Sequence, residues 1–363
     1  MCYGTPSRLQ FGDRLIWSES GVQQGDPLGP VLFCLAIHPL LMRIQEASPA
    51  LSVNAWYLDD GLAAGQAEDV IRALQTIEHF GPSLGLHLNA KKSEVWSPSG
   101  EVPEPLRHFH VLEPAGFELL GSPVGNQEFT KSFFLRRMTK FRALWAGISS
   151  LDHLQTQALL LRFCASFCKV VHLFRTVPTG LISEELAMFD KEFRGFMETV
   201  TGPVSDFTWT FMSLSCARGG LGLRSAQLHA LGGYISSLNS AAPLIIERFS
   251  FTSVPHLNAR LDLLKSWWSS SFGSLPTSLT QKALSAATDE KVLPILTSSP
   301  SCPPPVWIDS IQSPTSSCFW KCLPSRWNGT FIDNNCFRTL LHLRYRHPLF
   351  YPSPFPSPNC PGF

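Results

Sequence analysis

Val53-Asn54-Ala55-Trp56-Tyr57-Leu58-Asp59-Asp60-Gly61 is the stretch on which the reading of the fold turns. An apolar and aromatic run leads along one strand into two adjacent acids and a glycine. The pattern predicts a β-hairpin over 51–65 with Asp59-Asp60-Gly61 at its tip. Like charges repel, so two neighbouring carboxylates are costly to bring together unless cations hold them. Hard divalent ions that also take substrate phosphates are the usual remedy in phosphoryl-transfer sites. An Asp-Asp-Gly turn is equally ordinary hairpin chemistry, and the tripeptide alone leaves both readings open.

Upstream of this stretch, Arg8-Leu9-Gln10-Phe11 and Leu15-Ile16-Trp17 flank Gly12-Asp13-Arg14 and predict a first hairpin. Gly25-Asp26-Pro27 then opens an apolar run to about Glu46, with Asp26 as N-cap and Pro27 at the first helical position. Leu32, Leu35, Ala36, Leu40 and Ile44 keep a helical stripe, and Pro39 should bend it. Downstream, Val70, Ile71, Leu74, Ile77 and Phe80 give helical spacing over 68–84. Extended regions follow at 85–96 and 117–121. The succession predicts an α+β fold with helices packed on one side of a sheet.

From Thr130 to about Pro178 the pattern is helical. Lys131, Arg136, Arg137, Lys140 and Arg142 lie there with no acid among them, either a solvated helix face or a contact surface for nucleic acid. A further helix spans Leu181 to Thr201, and its stripe of Leu186, Phe189, Phe193, Phe196 and Val200 keeps Phe189-Asp190-Lys191 helical rather than extended. Arg218-Gly219-Gly220-Leu221-Gly222-Leu223 lacks the preceding strand and the third glycine of a dinucleotide fingerprint. Mixed helices run to about Ile295. Twelve of the 29 prolines follow Ser299, so the stretches around Pro303-Pro304-Pro305 and beyond Pro352 should be extended or disordered.

Composition narrows the class. Hydrophobic residues make up 44% and charged residues 16% of the 363, which argues against wholesale disorder. The net charge of +1 means that any nucleic-acid footprint is local. No apolar run behind a basic start marks a signal peptide, and the apolar stretch 158–174 carries Arg162, Lys169 and His172 and reads as a buried helix. The expectation is an intracellular protein (nucleus or cytoplasm) with no membrane partner. Ten cysteines are scattered; Cys164/Cys168 and Cys318/Cys322 lack zinc spacing, and the first pair reads as helix-packed thiols.

Taken in order, four segments resemble reverse transcriptases, nearest to those of non-LTR (LINE-like) retroelements. Tyr57-Leu58-Asp59-Asp60 resembles the family's catalytic motif C. Residues 21–30, Gly-Val-Gln-Gln-Gly-Asp-Pro-Leu-Gly-Pro, resemble motif B, and residues 85–93, Gly-Leu-His-Leu-Asn-Ala-Lys-Lys-Ser, resemble motif D. Phe117-Glu118-Leu119-Leu120-Gly121 resembles motif E, the primer grip. The resemblance implies a partial polymerase palm over 1–125 with an antiparallel sheet, an all-α thumb over 126–215, a mostly helical extension over 216–299 and a Pro-rich, partly disordered tail over 300–363. It implies RNA-templated DNA synthesis, with Asp59 and Asp60 binding Mg²⁺ or Mn²⁺. Gln24, Gly25 and Tyr57 would contact nucleotide or template, and Lys92 would protonate the leaving pyrophosphate unless it is a plain surface cation. Leu120 and Gly121 would grip the primer. The basic helix would hold the backbone of an RNA template and DNA primer, with deoxynucleoside triphosphates as substrates.

The sequence departs from the family at motif A, the aspartate-bearing strand that precedes motif B. Asp13 and Asp26 are the aspartates upstream of Asp59, one in a hairpin loop and one before a helix. The expectation is an N-terminally truncated polymerase without fingers or motif A. Losing one wall of the metal site would cost several kcal/mol of transition-state stabilisation, about 10³-fold or more in rate. The alternative is a non-catalytic nucleic-acid-binding remnant.

Overall fold

The computed structural model describes residues 5–18, 21–22, 25–248, 254–297 and 339–346. The chain forms two units, one of residues 1–114 with 331–363 and the other of residues 115–330. Helix and strand are mixed, as the α+β reading requires.

In the first unit, β1 (Ser7–Phe11) and β2 (Arg14–Ser18) pair antiparallel about Gly12-Asp13. Helix α1 spans Gly29–Ala47, later than the sequence indicated. Asp26 does not cap it. Its side chain accepts from the Leu28 amide (2.8 Å) in a turn ahead of the helix, and Pro30, not Pro27, occupies the first helical turn. The buried stripe is Ile37, Leu40 and Ile44, whereas Leu32 and Leu35 face outward. The hairpin β3 (Val53–Tyr57) and β4 (Asp60–Gly65) follows, then α2 (Ala67–Phe80), β5 (His87–Leu88), β6 (Glu94–Trp96) and β7 (His110–Val111). Val70, Ala73, Leu74 and Ile77 of α2 share one apolar cluster with the α1 stripe and with Val95 of β6. The sheet is not wholly antiparallel, because β6 and β7 run parallel.

The second unit begins with the hairpin β8 (Gly116–Leu119) and β9 (Ser122–Gly125). Eight helices follow among the described residues: α3 (Gln127–Ser149), α4 (Leu154–Cys164), α5 (Val171–Thr176), α6 (Ser183–Thr201), α7 (Asp206–Ser213), α8 (Ala226–Arg248), α9 (Val254–Phe272) and α10 (Gln281–Thr297). One cluster runs from Phe133 on α3 to Ala230 on α8, so the expected boundary near 215 falls inside a shared core. Trp145 sits at its centre, fully buried, touching Phe189, Phe193 and Phe196 and donating to the Ala165 carbonyl (2.7 Å).

Residues 154–176 are, among the described residues, the helical stretch long and apolar enough to cross a membrane by length and composition alone. It is interrupted at Ser166 and Phe167–Lys169, and Leu161, Leu173 and Phe174 are buried in the unit's core. Cys164 and Cys168 are exposed free thiols rather than packed ones. The glycines at 219–222 serve a tight backbone turn, in which a Cβ on Gly220 would lie 2.3 Å from the Leu214 carbonyl. The proline-rich stretches and Cys318/Cys322 lie outside the described residues. Residues 339–346, where the sequence suggested no element, form an eight-residue strand, β10 (Thr339–Arg346), in the first unit's sheet.

Candidate functional site

The acidic hairpin forms over the residues the sequence indicated, with a different tip. Tyr57 pairs with Asp60 and Trp56 with Gly61, so the two-residue turn is Leu58-Asp59 and Asp60 already belongs to β4. Leu58 has φ 56, a left-handed conformation that a non-glycine residue adopts at a cost of about 1–2 kcal/mol. Gly61 is needed for another reason. The Trp56 indole lies across it so closely that a Cβ would sit 2.7 Å from the ring, and Trp56 Nε1 donates to Asn54 (2.8 Å). This packing holds β3 against β4 directly behind the acids. Asp59 and Tyr57 are exposed and Asp60 is half-buried.

Two adjacent carboxylates invite a divalent cation. Among the described residues, however, no group of three or more His, Cys, Asp or Glu side chains is placed to hold one. Hard cations need more anionic oxygen than one turn supplies. The described residues therefore do not fit a complete metal site.

The neighbouring motif residues are placed as follows. Gly25 has φ 92, and nothing lies within 4 Å of where its Cβ would be, so backbone conformation rather than crowding calls for glycine. Gln24 lies outside the described residues. Lys92 is exposed at the end of a turn whose amides, Lys92 and Ser93, both donate to the Asn89 carbonyl (2.9 and 3.0 Å). Asn89 thus stabilises the turn through its backbone.

In the second unit, Leu120 and Gly121 form the two-residue turn of β8–β9, both with positive φ (47° and 80°). Such a turn matches the twist of its strands but strains a leucine. It is held from below: His172 reaches the Leu120 carbonyl (3.1 Å) and Arg137 donates to the Gly121 carbonyl (3.0 Å). The five basic residues of α3 divide into two groups. Arg137 pairs with Glu118 (3.1 Å), Lys131 with Glu184 (3.0 Å), and Arg142 makes a two-pronged bond to Glu192 (both 2.7 Å). The Glu184 hydrogen bond raises the Lys131 pKa, and the Glu192 bond does the same for Arg142. Arg136, over the rings of Phe129 and Phe133 (5.7 Å each), and Lys140 are exposed and have no carboxylate partner among the described residues. Four residues apart, they share one face of the helix. Sequence reading missed the acids because they arrive from β8 and α6, up to 53 residues away.

Residues 3–124 match the family model described as reverse transcriptase (RNA-dependent DNA polymerase). The match takes in the acidic hairpin, α1, Lys92, β8 and all but the last residue of β9. The chain carries a reverse transcriptase segment. A retrotransposable element SLACS 132 kDa protein of Trypanosoma brucei gambiense is 34% identical over 85 residues. Those residues are 23% of this chain and 7% of that protein. The family model's match ends at residue 124, within β9.

Proposed function

We propose that this chain derives from a retroelement polymerase that copies RNA into DNA, and that residues 1–363 by themselves do not polymerise. The observation that carries the reading is the Asp59/Asp60 pair at a tightly packed hairpin turn inside the matched segment. In this reading residues 1–125 are a partial palm and α3 begins a thumb. Tyr57, Gln24 and Gly25 border the nucleotide and template, and Lys92 stands ready as a proton donor to the leaving pyrophosphate. Arg136 and Lys140 contact the phosphates of an RNA–DNA duplex, while Leu120 and Gly121 meet the primer end. Mg²⁺ or Mn²⁺ would be the metal, and a third carboxylate from outside the described residues would complete its site.

Primer extension on an RNA template with Mg²⁺ tests the reading. Residues 1–363 should give nothing above background, and a protein extended upstream by a strand ending in aspartate should extend the primer. Asp59→Ala in the extended protein should abolish synthesis, with a loss of about 10³-fold or more. Polymerisation by residues 1–363 would mean that an unrecognised acid completes the site. A second reading, a non-catalytic nucleic-acid binder, is favoured by Arg136 and Lys140, exposed on α3 with no carboxylate partner among the described residues, and silence of the extended protein would select it.

A further inference from the structure

Leu120 stands where a hairpin turn disfavours leucine. In a two-residue turn with positive φ at both positions, asparagine or aspartate followed by glycine is the favoured pair. Gly121 meets that demand, whereas Leu120 stays left-handed only because its surroundings over-determine it. Burial does not compensate, since its side chain is 53% exposed. A strained backbone that holds an apolar side chain in solvent calls for a functional explanation.

The groups that over-determine the turn lie on α3 and α5, beyond residue 124, where the family match ends. His172 on α5 bonds the Leu120 carbonyl (3.1 Å). A carbonyl only accepts, so the imidazole Nε2 carries the proton. Arg137 on α3 donates to the Gly121 carbonyl (3.0 Å) and, from the same nitrogen, to Glu118 of β8 (3.1 Å). Thr176, four residues along α5 from His172, accepts from Ser122 Oγ (2.6 Å) and donates to the His172 carbonyl (2.8 Å). Side chains from two helices thus meet three consecutive residues, 120 to 122. A Cβ on Gly121 would lie 3.5 Å from Arg137 Nη2 and 3.8 Å from His172 Nε2, so both side chains converge on that glycine.

The contact with His172 governs one peptide plane. A trans peptide sets its C=O and N–H antiparallel. With the Leu120 carbonyl drawn towards His172, the Gly121 N–H is aimed the opposite way, and it has no hydrogen-bond partner among the described residues. The turn therefore offers a backbone donor, directed away from α5, beside an exposed leucine. Backbone amides of this kind bond the phosphate oxygens of nucleic acids, and an apolar side chain next to one suits the adjoining sugar.

We propose that His172 is a positioning residue for the end of a bound DNA strand. It fixes the Leu120–Gly121 peptide so that the Gly121 N–H meets an oxygen of the phosphate joining the last two nucleotides of the primer. Arg137 and Thr176 brace the same turn at its second carbonyl and at the Ser122 hydroxyl. The assignment rests on reading Leu120 and Gly121 as the residues that meet the primer end.

Fluorescence anisotropy on the full chain, without nucleotide or synthesis, tests it with two RNA–DNA duplexes. One has a recessed DNA 3′ end, and the other has both ends closed by loops. The natural chain should prefer the recessed end. His172→Leu, which removes the donor from an exposed position, should weaken that preference at least about fivefold, and His172→Gln, whose amide still donates, should keep it within about twofold. Closed-duplex affinity and the urea midpoint should be the same in all three proteins. A primer whose last phosphate is a methylphosphonate lacks the charged oxygen. It should cost the natural chain a similar factor and cost His172→Leu little more, because the two changes remove one interaction. Losses that multiply in full, or a preference that survives in His172→Leu, would overturn the role of His172. A natural chain that binds both duplexes alike would overturn the reading of the turn as facing the primer, and the assignment of His172 with it.

Discussion

At the scale of single residues, the acids were legible in the sequence and the groups that position them were not. Asp59 and Asp60 announce themselves by adjacency, whereas the contact of Trp56 with Gly61 depends on a register that no local pattern states. Gly61→Ala should push the indole aside and destabilise the first unit by about 1–3 kcal/mol, read as a lower urea midpoint. Trp56→Leu added to it should recover part of the loss, and additive losses would dismiss the contact. Asp190 makes a similar point. Rightly read as helical, it turns out to accept from Ser225 Oγ (2.6 Å) and from the Ala226 and Gln227 amides (2.8 and 3.0 Å), capping α8. Burial pushes its carboxyl from 3.8 up to about 6. Burial, with the Arg224 guanidinium nearby, pushes His229 from 6.5 down to about 3. The signs oppose. The raised Asp190 gives stability that is full below pH 3.8 and lost as pH rises to about 6, by roughly 3 kcal/mol at most. The lowered His229 gives stability that is full above pH 6.5 and lost as pH falls towards 3. Natural protein should therefore show a shallow profile between pH 4 and 6. Asp190→Asn should decline more steeply on acidification, and an unchanged urea-midpoint profile would remove Asp190 from the account.

Among elements, the hairpins and the long helices were readable because each follows from a short-range period or a turn. Helix ends were read less well. Asp26-Pro27 has the chemistry of a helix start but closes a turn, and α1 begins at Gly29. The charge of α3 was readable and its availability was not, since the neutralising glutamates lie on β8 and α6. A sharper expectation follows for this helix. Arg136→Ala with Lys140→Ala should weaken binding to an RNA–DNA duplex and flatten the log–log salt slope by up to about 1.8, roughly 0.9 per phosphate contact. Arg142→Ala, whose guanidinium is engaged by Glu192, should leave the slope nearly unchanged. The reverse ranking, measured by fluorescence anisotropy across salt concentrations, would return Arg136 and Lys140 to a solvated face.

For the whole molecule, the two units carry separate cores, one around Ile44 and Ile77 and the other around Trp145. Trp145→Ala should cost the second unit about 3–5 kcal/mol, and calorimetry should show the helical transition moving while the other stays. A single transition shifting as a whole would contradict that independence. What the sequence hid at this scale is the return of the chain: β6 ends at Trp96, and its sheet neighbour begins at Thr339. No periodicity in either segment points to the other. The ribosome meets this order literally. At about 5–20 residues per second, roughly 240 residues separate the emergence of one strand from that of the other, an interval of roughly 12–50 s. For that time the nascent sheet exposes two bare edges, so any extended chain nearby competes for them before residues 339–346 exist.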